Sequence, residues 1–319
     1  MRSLKKFTGI IKKSSKILIA THRDPDTDGI AAALACVYLV KHFKKRNIKI
    51  YCNSTIPARY KFLLRKFQFT KKIPEFDLLI AVDSAGLNRI FPKANIEEIK
   101  KNTIINIDHH RSNDAFGQLQ IIDERASSAC EIIYRIFKSL KIKINHHLAE
   151  IFYCGLYNET GGFTYPNTTS ESLKIAAEMI SLGIKPAPLI KLLNAKTLAG
   201  TKLLSDVLST IEIKDGVGIM ILLQKMLKKN RAKISDTENF ISFLQAINGV
   251  RVSLFLREEK NQTRVSLRSD GIIDVNRLAQ KYGGGGHRLA AGIRMKMGIV
   301  QTKQEILRAI RNEMRRTKG

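Results

Sequence analysis

Short apolar runs bounded by polar residues set the rhythm of the first half of the chain. Ile17-Leu18-Ile19-Ala20, Leu78-Leu79-Ile80-Ala81-Val82 and Ile104-Ile105-Asn106-Ile107 all follow this plan. Runs of this length predict buried strands of a parallel sheet. Between them, Ile30 to Lys45 predicts a helix packed through its alanines, and Ala126 to Phe137 and His146 to Tyr157 predict two more. Leu4, Phe7, Ile10 and Ile11 fall at helical spacing in a basic opening segment. Strand and helix thus alternate through about residue 185, as a crossover-connected parallel sheet requires. Gly183-Ile-Lys-Pro186-Ala-Pro188 then breaks the pattern, and a helical stretch from Leu189 to about Thr210 follows. Beyond it, strands are expected at Val217 to Leu223, Val250 to Leu256 and Thr263 to Leu267, with helices near Ser235 to Ile247 and Asp274 to Tyr282. The pattern predicts an α/β protein with residues 1–185 as a parallel-sheet domain, 186–210 as a linker helix and 211–319 as a smaller α/β domain. No internal repeat or low-complexity segment interrupts it.

The apolar runs of the first half all end in metal-binding residue types. The first leads into His22-Arg23-Asp24-Pro25-Asp26-Thr27-Asp28-Gly29, the second into Asp83 and the third into Asp108-His109-His110. Open α/β sheets gather ligands at the carboxyl ends of their strands, so these residues are expected along one edge. So many carboxylates in one crevice repel strongly unless divalent cations compensate them. Imidazole and carboxylate donors without thiolate favour Mn²⁺, Fe²⁺, Co²⁺ or Zn²⁺ over Ca²⁺, and a shared carboxylate suits two ions about 3.5 to 4 Å apart. The blander reading of Asp26 and Asp28 is helix capping, and that of Asp83 alone a strand-end turn. His146 and His147 are expected to open a helix and His42 to be solvated.

Five segments carry a family resemblance. His22-x-x-Pro-Asp26-x-Asp28, Val82-Asp83-Ser84-Ala85-Gly86, Asp108-His109-His110-Arg111-Ser112-Asn113 and Gly155-Leu-Tyr-Asn-Glu159-Thr-Gly-Gly-Phe163 resemble, in order, the four motifs of the DHH phosphoesterase family. Gly283-Gly284-Gly285-Gly286-His287-Arg-Leu-Ala290-Ala291-Gly292 resembles the glycine-rich signature of the DHH-associated C-terminal domain. The resemblance covers nearly the whole chain and is closest to the branch that degrades very short RNAs and dephosphorylates adenosine 3′,5′-bisphosphate (pAp).

The resemblance implies an N-terminal DHH domain with helices on both sheet faces and a C-terminal substrate-binding domain. It implies two divalent ions, with Mn²⁺ expected: His22, Asp26 and Asp83 on one, and Asp28, Asp83, His109 and Glu159 on the other. Asp108 would orient His109, and His110 would neighbour the scissile phosphate. Hydroxide generated from water between the two cations would attack phosphorus in line. Arg257, Arg268, Gly284, Gly285 and His287 would bind substrate, the glycines through backbone N–H groups, with Arg288 to Ala291 opening a helix toward the phosphate. Glu159 departs from the aspartate usual in the family, which puts metal preference in question.

Composition narrows the partners. A formal net charge of +27, from 55 lysines and arginines against 28 acids, attracts polyanions in a salt-dependent way. Basic runs at Lys41 to Arg46, Lys225 to Lys233 and Arg311 to Lys318 could equally be solvated helix faces. Cys36, Cys52, Cys130 and Cys154 show no CxxC spacing, so neither a disulfide framework nor a thiolate zinc site is expected, and the cytoplasm is the expected home. Neither a signal peptide nor a membrane-length apolar run is read from the sequence. Short single-stranded RNA and pAp are the expected partners, and a homodimer is compatible with the family. The alternatives are a cyclic di-AMP or pApA phosphodiesterase and an RNA-binding pseudoenzyme that has lost turnover through Glu159. RecJ-like action on long DNA and pyrophosphatase activity fit less well, and no P-loop or Ser-His-Asp nucleophile is evident.

Overall fold

A computed structural model describes residues 2–316, without the side chains of Arg2 and His287. Two compact units divide between Ala195 and Lys196. The first is built on a six-stranded sheet of β1 (Ile17–Ala20), β2 (Ile48–Tyr51), β3 (Phe69–Thr70), β4 (Leu78–Val82), β5 (Thr103–Asp108) and β6 (Leu119–Ile122). The spatial order is β3-β2-β1-β4-β5-β6 and every pairing is parallel. The order reverses between β1 and β4, which makes the crevice beyond their carboxyl ends the natural ligand site of this topology.

The three apolar runs form β1, β4 and β5, and β1 and β4 are buried along their whole length. Their alternate side chains serve two cores, as the two-residue period of a strand dictates. Ile17, Ile19, Leu78, Ile80, Val82, Ile105 and Ile107 pack with α1 (Arg2–Lys13) and α2 (Thr27–His42) on one face. Leu18, Ala20, Leu79, Ala81 and Ile104 face the other side, against Leu87, Ile90, Phe91 and Ile99. Each isoleucine, leucine or valine among them contributes roughly 1.5–3 kcal/mol on burial, and a one-residue slip would exchange the two sets, so register is strongly fixed. Short helices α3 (Lys61–Leu64), α4 (Leu87–Ile90) and α5 (Ile96–Lys100) fill the connections, and α6 (Ala129–Ser139), α7 (His146–Glu159), α8 (Ser170–Ser181) and α9 (Pro186–Leu193) complete the unit. No helix is long and apolar enough to cross a membrane among the described residues.

The helix expected from Leu189 to Thr210 is two helices. α9 buries Leu189 and Leu193 in the first unit, whereas α10 (Leu198–Leu208) buries Leu203 and Val207 in the second. Thr197 restarts the helix by accepting the Gly200 N–H through Oγ1, so the segment is a break rather than a free-standing linker.

The second unit has a mixed sheet in the order β11-β12-β10-β9-β8-β7. Its strands are β7 (Glu212–Lys214), β8 (Val217–Leu222), β9 (Val252–Glu259), β10 (Gln262–Ser269), β11 (Gly285–His287) and β12 (Ala290–Met295). Only β8 and β9 pair in parallel. One face is covered by α13 (Val275–Gln280) and α14 (Ile299–Arg316), through Leu278, Ile306 and Ile310. On the other, α10 and α12 (Ser242–Gln245) cover Met220, Leu222 and Phe255. α11 (Gln224–Asn230) follows β8. The helix expected across Ser235 to Ile247 is reduced to a 3₁₀ turn at Ile234–Thr237 and α12, because Glu238 is extended and Asn239 left-handed between them.

Candidate metal centre

β1 delivers His22 two residues beyond its end. His22 Nδ1 lies 2.8 Å from the Arg23 carbonyl oxygen, which can only accept, so the proton sits on Nδ1 and Nε2 is left for a ligand. Asp26 is the N-cap of α2, and its Oδ1 accepts the Gly29 N–H at 3.1 Å. The cap is compatible with a ligand role for Asp26 and explains why α2 begins at Thr27 rather than at Ile30. Asp28, fully buried in the first turn, accepts the Ala129 and Cys130 N–H groups at 2.7 and 3.1 Å. That pair ties β1's loop to the N-terminus of α6.

Asp83 stands at the end of β4 with φ +51°, a left-handed conformation aspartate tolerates better than most residues. Its two oxygens face different groups: Oδ2 lies 3.5 Å from His22 Nε2, while Oδ1 lies 3.6 Å from His109 Nε2 and 3.6 Å from His110 Nδ1. Donor atoms of His22, Asp26 and Asp83 all fall within 4.8 Å of one another, as do those of Asp83, His109 and His110. Around His109 Nε2, Asp28 Oδ2 lies at 4.0 Å and Glu159 Oε1, from the last residue of α7, at 3.9 Å. The structure thus brings together His22, Asp26, Asp28, Asp83, His109, His110 and Glu159.

Asp108 corrects an expectation. Its Oδ1 lies 2.7 Å from His110 Nδ1, and its Oδ2 accepts from Asn113 Nδ2 at 2.6 Å, so it orients His110 rather than His109. Residues two apart at a strand end share a side, and that places Asp108 with His110. Asn113 also reaches Asn106 Oδ1 and the Ser84 carbonyl, a brace that sequence reasoning missed although Asn113 belongs to a quoted motif. His147 is buried and structural, with Nε2 2.8 Å from the Leu63 carbonyl and Nδ1 2.7 Å from the Tyr38 hydroxyl.

The electrostatics are those of donors that need cations. Burial, then the Asp83 charge, raises Asp28 to about 7, and burial with the Asp26 charge pushes Glu159 well above the carboxylate range. Burial opposes charge on the imidazoles, yet the Asp83 hydrogen bonds and nearby carboxylates raise His22 to about 9 and His109 to about 10. Burial would raise Asp83 too, and the same histidines hold it well below the usual range. Protons bind here wherever cations do not. Hard carboxylate donors, imidazoles and no thiolate ligand fit divalent transition ions.

Gly29 was not singled out by sequence. A Cβ there would lie 2.5 Å from Thr21 Oγ1, 3.0 Å from Asp83 Oδ2 and 3.4 Å from His22 Nε2. Gly29→Ala is expected to displace Asp83 and lower metal affinity by at least about tenfold, the scale of disturbed ligand support. Mn²⁺ titration would check it, and unchanged affinity would show that Thr21 can yield.

The second unit's candidates behave differently. Arg257 Nη2 pairs with Glu259, and Arg268 Nη1 donates to the Leu267 carbonyl at 2.9 Å. Arg288 to Ala291 do not open a helix; they turn β11 into β12. The Gly284 N–H donates to the Ala279 carbonyl, and a Cβ on Gly284 would lie 2.3 Å from the Gly292 oxygen. The glycine therefore serves close strand approach, and its N–H is already engaged. Gly285 starts β11, and the His287 side chain lies outside the described residues.

The model of the DHH family N-terminal domain matches residues 16–156, and that of the DHHA1 domain matches 218–316. A Thermus thermophilus protein named bifunctional oligoribonuclease and PAP phosphatase NrnA is 31% identical over 304 residues, 94% of this chain and 90% of that protein. The Bacillus subtilis protein of the same name is 30% identical over 281 residues, covering 86% and 88%. Among solved structures, an exopolyphosphatase-related protein from Bacteroides fragilis superposes with a TM-score of 0.91 at 26% identity, covering 100% of this chain and 98% of that one.

Proposed function

The chain belongs to the DHH phosphoesterase family, and from that premise we propose that it hydrolyses very short single-stranded RNA to 5′-mononucleotides and removes the 3′-phosphate of pAp. The division of the Asp83 carboxylate between His22 and His109 carries the reading, because one carboxylate facing two donor groups suits two cations. Both reactions break a bond between phosphorus and a 3′-oxygen, in a diester or a monoester, so one centre can serve both.

His22, Asp26 and Asp83 would hold one ion, and Asp28, Asp83, His109 and Glu159 the other, with Mn²⁺ the proposed metal. When bound, the cations supply Lewis acidity to the phosphoryl oxygens and lower the pKa of water. The chain's own residues position the rest. The Arg23 carbonyl fixes the His22 tautomer, and the α6 N-terminus fixes Asp28. Asp108 holds His110 by Nδ1, and His110 would donate through Nε2 to a phosphoryl oxygen or to the departing 3′-oxygen. Glu159 retains the carboxylate that an aspartate would supply, from the end of α7. Four free, buried cysteines suit the reducing cytoplasm proposed for it.

Product analysis tests this. With Mn²⁺, 5′-labelled di- to pentaribonucleotides, a 24-mer, pAp and cyclic di-AMP would be offered in parallel. Mononucleotide release is expected fastest from the shortest RNAs, with phosphate from pAp. A clear preference for cyclic di-AMP or the 24-mer would overturn the substrate assignment, and no turnover with any divalent metal would overturn the enzymatic reading.

A further inference from the structure

The register of the second unit's sheet aligns three arginines in one row. Arg257 on β9 is directly opposite Arg264 on β10, and Arg264 is directly opposite Arg294 on β12. Directly opposed residues share a face, and their Cβ atoms lie only about 4.5–5.5 Å apart. Like charges so placed repel and destabilise a sheet unless an anion lies among them. Glu259, two residues along β9, pairs with Arg257 and also receives Gln262 Nε2 at 2.7 Å. Its carboxyl is held down through the Arg257 hydrogen bond and charge, against burial, with a further contribution from Arg264. Glu259 thus acts against both Arg257 and Arg264.

The row lies on the face opposite α13 and α14. It begins beside Leu222, at the margin of the apolar cluster under α10, and runs outward to the exposed Arg294. Arg257 keeps 12% of its side chain exposed, and its Nε is buried without a hydrogen-bond partner. Leaving a charged donor buried and unsatisfied is costly, which a bound anion offsets. Arg294 takes part in none of the ion pairs found among the described residues. Arg268 shares the face, four residues from Arg264 on the same strand and thus roughly 13 Å away at about 3.3 Å per residue. One phosphate cannot span both positions.

We infer that Arg257, Arg264 and Arg294 form a second phosphate subsite, separate from Arg268, that holds an internucleotide phosphate of single-stranded RNA longer than a dinucleotide. The inference rests on the proposed action on short RNA and assigns Arg264 and Arg294 a role in setting substrate length. Guanidinium groups suit it because they bind phosphate through paired N–H donors.

Arg264→Gln, Arg294→Gln, the double variant and the double lysine variant would be assayed for KM and kcat on di-, tri- and pentaribonucleotides and on pAp. The double glutamine variant should raise KM for the pentamer about tenfold, as loss of charge-assisted contacts implies, with kcat and the pAp and dinucleotide constants unchanged. Lysines at both positions should restore the charge and most of the affinity. Binding of a fluorescein-labelled pentamer in EDTA supplies a readout without turnover: the slope of log K against log salt should weaken by about 0.7 per lost contact. Equal effects on all substrates, or no effect on KM or salt slope, would overturn the subsite. A wild-type protein that cleaves no RNA would overturn the functional reading instead, while the binding slope still decides the subsite.

Discussion

Asp83→Ala is expected to abolish measurable hydrolysis, a loss of at least about a thousandfold in kcat, with the fold retained. Removing a residue that merely supports a ligand typically costs 10- to 100-fold. Asp83 is more central: its Oδ2 faces His22, its Oδ1 faces His109 and His110, and it is almost wholly buried. Its loss removes a donor from both proposed ion sites and leaves His22 and His109 without the partner that holds their protons. Asp108→Asn provides the contrast. It keeps the Asn113 and His110 neighbourhood but weakens the grip on Nδ1, so a 10- to 100-fold loss in kcat is expected with Mn²⁺ affinity unchanged. Steady-state kinetics and metal titration on both variants would check this. Asp83→Ala protein that retains both ions and more than a tenth of the activity would refute the bridging role.

The second large effect is a metal-conferred stability that grows with pH. His22 and His109 lie above the unfolded value of 6.5, at about 9 and about 10, so the stability they contribute without metal is complete below about pH 6.5 and is lost as pH rises through those values. Asp28, raised from 3.8 to about 7, lowers the stability of the metal-free protein as pH rises between those two values, because the unfolded carboxyl ionises there while the folded one keeps its proton. All three shifts make metal-free stability fall with rising pH. Cations bind the deprotonated donors, so their contribution rises over the same window. At a thousandfold excess over Kd, binding contributes about 4 kcal/mol, or roughly 6 °C in Tm for a protein of this size. Thermal melts with Mn²⁺ and with EDTA from pH 6 to 8.5 should show the difference widening. Calorimetry in two buffers at pH 7.5 should show proton release on Mn²⁺ binding. A gain that is flat or shrinks with pH would mean that protons and cations do not compete for these side chains.

Most of the candidate metal centre was legible because its residues follow strands. His22, Asp83 and Asp108 each close an apolar run, and parallel strands necessarily bring their carboxyl ends to one edge, so sequence alone placed distant residues together. Glu159 entered only through the motif that contains it, since nothing in helical spacing shows that α7 ends against His109. The cap at Asp26 was read only as the blander alternative to ligation, although aspartate before an apolar helix is a local signal. The second unit was less so. Gly283 to Gly292 reads as an anion loop opening a helix, and what makes it a hairpin is the pairing of β12 with β10, a contact between residues 22 to 32 positions apart.

The sequence by itself determined the α/β class, the two-part organisation and most of the candidate donors, because strand length, alternation and residue chemistry are local properties that the chain carries wherever it goes. The tertiary structure decided which carboxylate serves which imidazole, that Asp108 belongs to His110, that Gly29 leaves room for Asp83, and that three separate arginines stand in one row. Those are matters of register and side-chain direction. A shift of one residue along a strand reverses the face it presents, and only the neighbouring strands and the packed cores fix that choice.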